Sequence, residues 1–182
     1  MTNSDDTELV KACRSGRRQA FDELVVRYQG PIFNLALRIL GNVDDAMDAT
    51  QTTFLKAYGR LETFDESRKF FSWIYGIAVR EALDVRGRRA RTVGSPAAAD
   101  VVSTQESPEV ELLRKDSEAR VTRAMKDLPA EDRALVTLRH FQGLGYVEIA
   151  EVMSISTELV KSRLFSARQR LRRALAIREE KV

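Results

Sequence analysis

The chain has 182 residues, of which 43% are hydrophobic and 31% are charged, enough apolar material for the cores of one or two small domains. Its single cysteine, Cys13, excludes an internal disulfide, and its single histidine, His140, excludes a cysteine–histidine zinc cluster. The net charge of +3, from 30 basic and 27 acidic residues, understates an uneven distribution of charge along the chain.

Other features of the sequence narrow the class of protein. No apolar run approaches the ~20 residues that span a membrane, and no secretory signal is recognisable, so we expect a cytoplasmic protein. Glycine and proline are few and no segment alternates apolar with polar residues, which predicts an all-α fold. Because a phosphate-binding glycine loop, a metal-ligand cluster and a Ser-His-Asp set are also missing from the sequence, we expect neither a cofactor nor an enzyme.

Residues 1–60 contain a series of helical patterns joined by short turns. A short helix is expected over residues 8–14. The second carries apolar residues from Phe21 to Tyr28 on one face and is expected to stop at Gly30-Pro31, where a third begins that ends at Leu40. Short connections of this kind predict an antiparallel bundle.

A fourth helix, from Asp44 to about Arg60, has two distinct faces. Its inner side is apolar, and its first turn is acidic, which suits the positive end of the helix dipole. Its outer side mixes Asp48 and Gln51 with a leucine, Leu55. Such a face is usually only a solvated surface; the alternative is a docking surface for helices of another protein.

A polar loop over residues 61–69 precedes a fifth helix from Phe70 to about Asp84. We expect Trp73 to face inward, since large aromatic residues at helical spacing usually belong to a core. The helix passes into R-G-R-R-A-R, residues 86–91, a basic tail without an apolar face. Aromatic residues beside a basic segment favour a nucleic-acid surface, because bases stack on aromatic rings and cations follow the backbone. The alternative is a tail that only adds solubility.

Residues 93–110 separate two domains. The segment contains Gly, Ser, Thr and two Pro, carries a net negative charge and lacks periodicity, which predicts a flexible linker. Beyond it we expect a helix over residues 111–127 and another that begins at Pro129. The latter is expected to pack on the last part of the chain through residues that include Phe141.

The segment from Gly143 to Leu175 predicts a helix-turn-helix. Apolar residues recur at i, i+3, i+4 and i+7 from Tyr146 to Met153, residues 154–156 favour a turn, and the period restarts at Val160. Two short amphipathic helices on a tight turn have to pack on each other to bury their apolar faces.

The second of these helices is expected to present a DNA-contacting face opposite its apolar stripe. At ~100° per residue, Ser162 and Phe165 point outward, with Lys161, Arg168 and Arg172 beside them. Hydroxyl and aromatic groups can contact base edges while cations bind phosphates. The alternative is a solvated basic helix, which leaves the exposed phenylalanine without a partner.

Taken together, these segments resemble bacterial sigma factors of the extracytoplasmic-function (ECF) group over nearly the whole chain. The matching stretches, in order, are A-F-D-E-L-V, D-D-A-M-D-A-T-Q-T-T-F-L-K-A-Y, F-F-S-W-I-Y-G-I-A, D-L-P-A-E-D-R-A-L and G-Y-V-E-I-A-E-V-M-S-I-S-T-E-L-V-K-S-R-L. The resemblance implies two small helical domains, sigma region 2 over residues 1–92 and sigma region 4 over residues 111–182, joined by the linker over residues 93–110. It also implies an initiation factor that binds RNA polymerase core and directs it to promoters.

The resemblance further implies three binding surfaces. Polymerase core, through the clamp of its largest subunit and with the flap as a further contact, is expected to bind Asp45, Asp48, Gln51, Thr52 and Leu55. The minus-10 promoter element, which is melted so that an unstacked base can be captured, is expected to contact Phe64, Ser67, Arg68, Lys69, Trp73, Tyr75, Arg80, Arg86, Arg88 and Arg89. The minus-35 element is expected to contact Thr157, Glu158, Lys161, Ser162, Phe165, Arg168 and Arg172 in its major groove.

The sequence departs from the family pattern at several of these places. Val79-Arg80 stands where the family usually has Arg-Asn, which alters the expected minus-10 contacts. Thr52 replaces a frequent glutamate, and Leu159 replaces a frequent threonine, with the loss of a phosphate contact.

Two functions remain open from the sequence. The first is the initiation factor, for which the resemblance implies a further partner, an anti-sigma factor, often tethered to the membrane, that clamps the two domains in a compact inactive form. The free chain is then expected to be a monomer whose domains are mobile. The second is a DNA-binding regulator whose N-terminal domain senses a signal without touching polymerase; such a protein has no need of the aromatic and basic segment over residues 70–91.

Overall fold

The computed structural model describes residues 3–92 and 120–179, with side chains for residues 5–91 and 120–176. The elements of the first range are α1 (Asn3–Arg14), α2 (Gln19–Leu40), α3 (Val43–Gly59), a 3-10 turn (Leu61–Thr63) and α4 (Phe70–Thr92). Those of the second are α5 (residues 120–126), α6 (Ala130–Val136), a π-helical turn (Thr137–Phe141), α7 (Tyr146–Met153) and α8 (Thr157–Glu179). Neither range contains a strand, and the all-α prediction is confirmed. The predicted linker and most of the predicted helix over residues 111–127 lie outside the described residues.

The turn between α2 and α3 is very short and well capped. Gly41 ends α2 with a left-handed φ of 70°, and its N–H donates to the carbonyl of Leu37 at 2.7 Å. Asn42 begins α3 by accepting the Asp45 backbone N–H on its Oδ1 at 2.9 Å. These caps return the chain sharply, so that α3 lies alongside α2.

α2 is one continuous helix of 22 residues with Pro31 inside it. The prediction of two helices that break at Gly30-Pro31 is therefore wrong. Proline within a helix removes one hydrogen bond and costs ~3 kcal/mol or more. The buried side chains of α2 nevertheless keep helical spacing across this point, from Phe21 and Leu24 to Ile32 and Leu35. Burial of that uninterrupted stripe offsets the loss at the proline.

α4 extends to Thr92, beyond the predicted end near Asp84. The basic tail is therefore helical. Two of its arginines are paired with carboxylates, since Arg88 Nη2 lies 3.3 Å from Glu81 Oε1 and Arg89 Nη1 bonds Asp45 of α3. Arginine also has a high helix propensity, which favours continuation.

α7 and α8 form the predicted helix-turn-helix. Ser154 makes the turn with a left-handed φ of 55°. Val160, Leu164 and Ala167 are buried, as the stripe predicts. Arg163 fixes α8 to α6 by donating from Nε to Asp132 Oδ1 at 2.8 Å.

The two domains pack directly on each other, with α7 against α4 and α6 against α2. Their buried residues form one continuous cluster. At the closest approach, a Cβ added to Gly76 of α4 would lie 3.3 Å from the Val152 carbonyl oxygen of α7. The structure thus differs from the expectation of separate domains, because a face of each domain is apolar and complementary to the other.

Arg133 lies at the centre of this contact and is only 2% exposed. Its Nη1 donates to the carbonyl of Ile39 at 2.7 Å, and its Nη2 donates to that of Leu128 at 3.1 Å. Ile39 belongs to the last turn of α2, where carbonyls lack partners within the helix and the dipole favours a cation. Burial, with a smaller contribution from Arg86, lowers the Arg133 pKa to about 10, so the guanidinium is still charged at neutral pH.

Phe141 does not pack on the helix-turn-helix as predicted. It is 41% exposed, and the Arg38 guanidinium of α2 stacks on its ring at 3.5 Å from the centroid. The residue thus contributes to the contact between domains. Within the two described ranges, every helix is too short or too polar to span a lipid bilayer.

Candidate functional site

An open groove of about 810 Å³ lies between α2 and α3. Its α3 wall carries Asp48, Gln51 and Leu55, which belong to the residues predicted to bind polymerase. Leu55 is 66% exposed. An apolar side chain exposed to that degree, beside an acid and an amide and at the edge of a groove, is typical of a surface that binds a helix of another protein.

The α2 wall of this groove is missed by sequence reasoning. It is formed by Phe21, Val25, Gln29 and Phe33. Spaced by four along one helix, these residues make a row next to the buried stripe. The row crosses Gly30-Pro31, so it is recognisable only if α2 is taken as a single helix.

The other two residues predicted for polymerase binding lie outside the groove lining. Thr52 is half-buried. Asp45 is also half-buried and pairs with Arg89 of α4. Its carboxylate therefore holds the basic end of α4 against α3.

Phe64, which the resemblance places among the minus-10 contacts, is buried in the loop over residues 61–69. It is 3% exposed, and its ring centroid lies 5.5 Å from that of Phe70 and 5.2 Å from that of Trp73. Trp73 is half-buried at the surface side of this cluster. The aromatic groups thus support the loop from beneath.

The polar end of the same loop is exposed. Asp65 Oδ1 accepts both the backbone N–H and the hydroxyl of Ser67, at 2.9 and 2.7 Å, and these bonds lower the Asp65 pKa. Ser67, Arg68 and Lys69 are exposed, and Lys69 Nζ lies 3.0 Å from Glu148 Oε1 of α7. This end of the loop therefore adjoins the C-terminal domain.

Tyr75 is also buried rather than available on a surface. It is 6% exposed, and its hydroxyl donates to Gln142 Oε1 of the C-terminal domain at 2.9 Å. Burial raises the pKa of Tyr75 to about 12. The α4 face around Tyr75 and Gly76 is covered by the C-terminal domain.

The predicted arginines of α4 are partly engaged within the protein. Arg80 is exposed, and its Nη2 donates to Ser154 Oγ in the helix-turn-helix turn at 3.3 Å. Arg86 is half-buried. Arg88 bonds Glu81, a 3% exposed carboxylate that also pairs with Lys56 of α3. Separation of the two domains would break the bond between Arg80 and Ser154 and free the Arg80 side chain.

The outward face of α8 is as open as the sequence predicts. Thr157 is half-buried, and the exposed residues are Glu158, Lys161, Ser162, Phe165, Arg168 and Arg172. Phe165 is 64% exposed. An aromatic side chain with cations on both sides suits a major groove, where it can contact a thymine methyl while the cations bind phosphates.

The three surfaces therefore differ in accessibility. The groove between α2 and α3 has no lining residue from the C-terminal domain, and the α8 face is open. The α4 face is covered by α7. In this arrangement a protein ligand can enter the groove while nucleic acid cannot reach Tyr75.

Comparison with protein families gives two matches along the chain. A model described as Sigma-70 region 2 matches residues 24–92, and one described as Sigma-70, region 4 matches residues 118–171. The first covers the groove and α4, and the second covers the helix-turn-helix.

Individual proteins match over almost the full length. The RNA polymerase sigma-H factor of Pseudomonas aeruginosa is 36% identical over 96% of each chain. The ECF RNA polymerase sigma-E factor of Haemophilus influenzae is 34% identical over 90% of this chain and 92% of its own. The solved structure of CnrH in complex with the cytosolic domain of CnrY is 27% identical, with a TM-score of 0.71 over 95% of this chain and 98% of that one.

Proposed function

Because this chain belongs to the ECF group of RNA polymerase sigma factors, we propose that its three surfaces divide the work of promoter-specific initiation among them. Sigma factors bind RNA polymerase core and direct it to promoters, and they are not enzymes. The chain thus acts by binding, and the polymerase carries out the chemistry.

The groove between α2 and α3 binds the clamp helices of the largest polymerase subunit. This groove is the observation that carries the proposal, since a regulator with no contact to polymerase has no use for it. Its exposed Leu55 supplies apolar area, and Asp48 with Gln51 supplies polar groups that fix the orientation of the partner.

The loop over residues 61–69 and the adjoining face of α4 bind the minus-10 element. The exposed Ser67, Arg68 and Lys69 lie above an aromatic cluster that includes Trp73. This arrangement supports capture of an unstacked base. Such a base can stack on an aromatic ring at the edge of the cluster while the cations bind the neighbouring phosphates.

The exposed face of α8 binds the minus-35 element in the major groove. Phe165 and Ser162 contact base edges, and Lys161, Arg168 and Arg172 bind phosphates. The support for this assignment is the exposure of all five side chains on one face of the second helix of a helix-turn-helix.

An anti-sigma factor is the partner that restrains this chain. CnrH was solved with the cytosolic domain of CnrY, and the likeness to CnrH supports a corresponding partner here. The anti-sigma factor covers the two surfaces that the domain contact leaves open, which are the groove and the α8 face. A tether of this partner to the membrane couples its release to a signal from outside the cell.

Binding to polymerase in the absence of DNA tests the proposal. The full chain, labelled with a fluorophore, is titrated with purified core enzyme, and anisotropy reports the complex. We expect saturable binding that an unlabelled ECF sigma factor displaces. A chain that binds promoter DNA but not core would instead be the alternative regulator.

A further inference from the structure

Arg14, the last residue of α1, holds the loop that follows α3. Its Nε donates to the Leu61 carbonyl at 3.1 Å, and its Nη2 donates to the carbonyls of Leu61, Glu62 and Phe64 at 2.6, 3.1 and 2.6 Å. Its Nη1 bonds Glu66 Oε1 at 2.7 Å. One guanidinium therefore joins four residues of a segment that lies 47–52 positions away in sequence.

The chemistry of these acceptors explains why an arginine occupies the position. The Leu61 and Glu62 carbonyls belong to a single 3-10 turn, and Phe64 follows it with extended backbone. The Phe64 N–H donates to the Leu61 carbonyl at 3.1 Å, but no further helical turn follows to donate N–H groups to the carbonyls of this segment. Guanidinium has donors in a fixed planar fork that can reach several carbonyls together. The Arg14 side chain is only 19% exposed, so its bonds to the Leu61 and Phe64 carbonyls are partly shielded from water.

The contacts fix the loop from its inner side and leave its outer side free. Phe64 is anchored between the Arg14 contact at its carbonyl and the aromatic cluster at its ring. From that anchor the chain passes to Ser67, Arg68 and Lys69, whose side chains are exposed. The backbone path of the exposed residues is thus set by a residue that does not itself reach the outer surface.

We propose that Arg14 is a positioning residue for promoter melting: it holds the loop over residues 61–69 in the shape that receives an unstacked minus-10 base. This inference rests on the role proposed above for the loop. A loop that is already ordered loses little conformational entropy when the base binds. The free energy of base stacking and phosphate contact is then not spent on ordering the loop, and it can offset the cost of melting the duplex.

The test uses holoenzyme reconstituted from core polymerase and the full chain carrying Arg14→Ala. Open-complex formation is followed with 2-aminopurine in the minus-10 non-template strand, on duplex promoters and on promoters with a premelted bubble. We expect opening of the duplex to fall about ten-fold, the size that ordering one backbone residue implies. Preference among bases at the captured position is expected to flatten, while core affinity and minus-35 preference stay at wild-type level.

Lys11→Ala is the matched control. Lys11 lies on the same helix and its Nζ is 3.4 Å from Glu66 Oε2, but its side chain is 60% exposed and pairs with this carboxylate rather than with the loop carbonyls. We expect wild-type opening and base preference. Arg14→Lys keeps the charge without the planar fork, and it is expected to recover only part of the base preference.

Hydrogen exchange separates positioning from general loss of stability. In both Arg14 variants, amides of residues 62–67 are expected to exchange faster while those of α2 and α3 are unchanged. Wild-type base preference, or wild-type exchange in the loop, in an active Arg14→Ala holoenzyme would overturn the inference and leave the proposed function standing. A wild-type chain that opens no promoter with core would overturn both.

Discussion

Leu55 and Phe165 are large apolar side chains that the folded chain leaves 66% and 64% exposed. Each lies on the solvent side of an amphipathic helix, and each has polar or charged neighbours. Burying either side chain against a partner is worth roughly 1.5–3 kcal/mol. The two exposed residues therefore support the proposed protein-binding surface on α3 and the proposed DNA-binding surface on α8.

Asp48→Arg is expected to weaken binding to polymerase core at least about ten-fold, because it reverses a charge at the edge of the groove. Thermal stability is expected to change little, since Asp48 is exposed. Titration anisotropy with core enzyme measures the affinity. Glu23→Arg is the matched control, because Glu23 is an exposed acid of α2 that does not line the groove. Equal affinity for the wild type and Asp48→Arg would remove Asp48 from the interface.

Phe165→Ala and Arg172→Ala are expected to have different effects on DNA. Loss of the Phe165 ring is expected to relax preference at particular minus-35 base pairs by ~1–3 kcal/mol each. Loss of Arg172 is expected to weaken all sequences alike and to reduce the salt slope by about one unit. Competition binding at several salt concentrations distinguishes them. The same uniform loss in both variants would show that Phe165 does not contact bases.

For single residues, the sequence predicts the solvent exposure of a side chain well where the helix is regular. The outward residues of α8 follow from the period of its apolar stripe. Phe64 and Tyr75 were expected on a surface but are buried, because their surroundings come from α4 and from the C-terminal domain. Arg14 carries no local signal for its role, since its hydrogen-bond partners lie 47–52 residues away.

Among the elements, α2 departs most from its expected form. Proline usually ends a helix, yet Pro31 lies inside 22 continuous helical residues. The position of the apolar stripe decides the outcome, because Tyr28 and Ile32 are both buried on the same face. The local sequence favours a break, and the tertiary packing overrides it.

Pro31→Ala is therefore expected to stabilise the protein by ~1–2 kcal/mol. The substitution returns an N–H to the helix and removes the ring from the path of the preceding turn, which outweighs the greater freedom of the unfolded chain. The carbonyl that accepts from Gln142 Nε2 at 3.4 Å is retained. Denaturant unfolding measures the change. A destabilised variant would mean that α2 is bent to fit the proline ring.

For the whole molecule, the order of helices and the presence of two helical domains with a C-terminal helix-turn-helix follow from periodicity and turn residues. The contact between domains does not. It depends on pairs such as Arg133 with the Ile39 carbonyl, 94 residues apart, and on the close approach at Gly76. The periodicity of apolar residues within one helix does not indicate whether a face of one domain is complementary to a face of the other.

The domain contact has a consequence for the order of events. The groove proposed to bind polymerase is open, while the α4 face is covered by α7. We therefore expect core to bind the compact chain first, and the domains to separate before the minus-10 element is bound. Separation exposes Tyr75 and releases Arg80 from Ser154.

A reversible cross-link between the domains tests this order. Lys69→Cys and Glu148→Cys replace a pair, one exposed and one half-buried, whose charged atoms lie 3.0 Å apart, in a chain that also carries Cys13→Ser. Joined by a reducible bis-thiol reagent, this protein is expected to bind core but not to form open complexes. Reduction is expected to restore opening to the level of the same double variant before cross-linking, since loss of Lys69 itself removes a proposed phosphate contact.

The control cross-link lies within one domain. Lys11→Cys with Glu66→Cys replaces a pair 3.4 Å apart and is expected to leave opening unaffected by reduction. If the interdomain cross-link also leaves opening unchanged, the domains need not separate.

Transcription from a randomised promoter library tests the central claim most directly. Core polymerase is mixed with the full chain, and the 5′ ends of the transcripts are sequenced together with the DNA upstream of them. We predict start sites preceded by two short elements at a fixed spacing, with Phe165→Ala altering only the upstream element. Transcripts no more selective than those of core alone would contradict the assignment of this chain as a promoter-specific initiation factor.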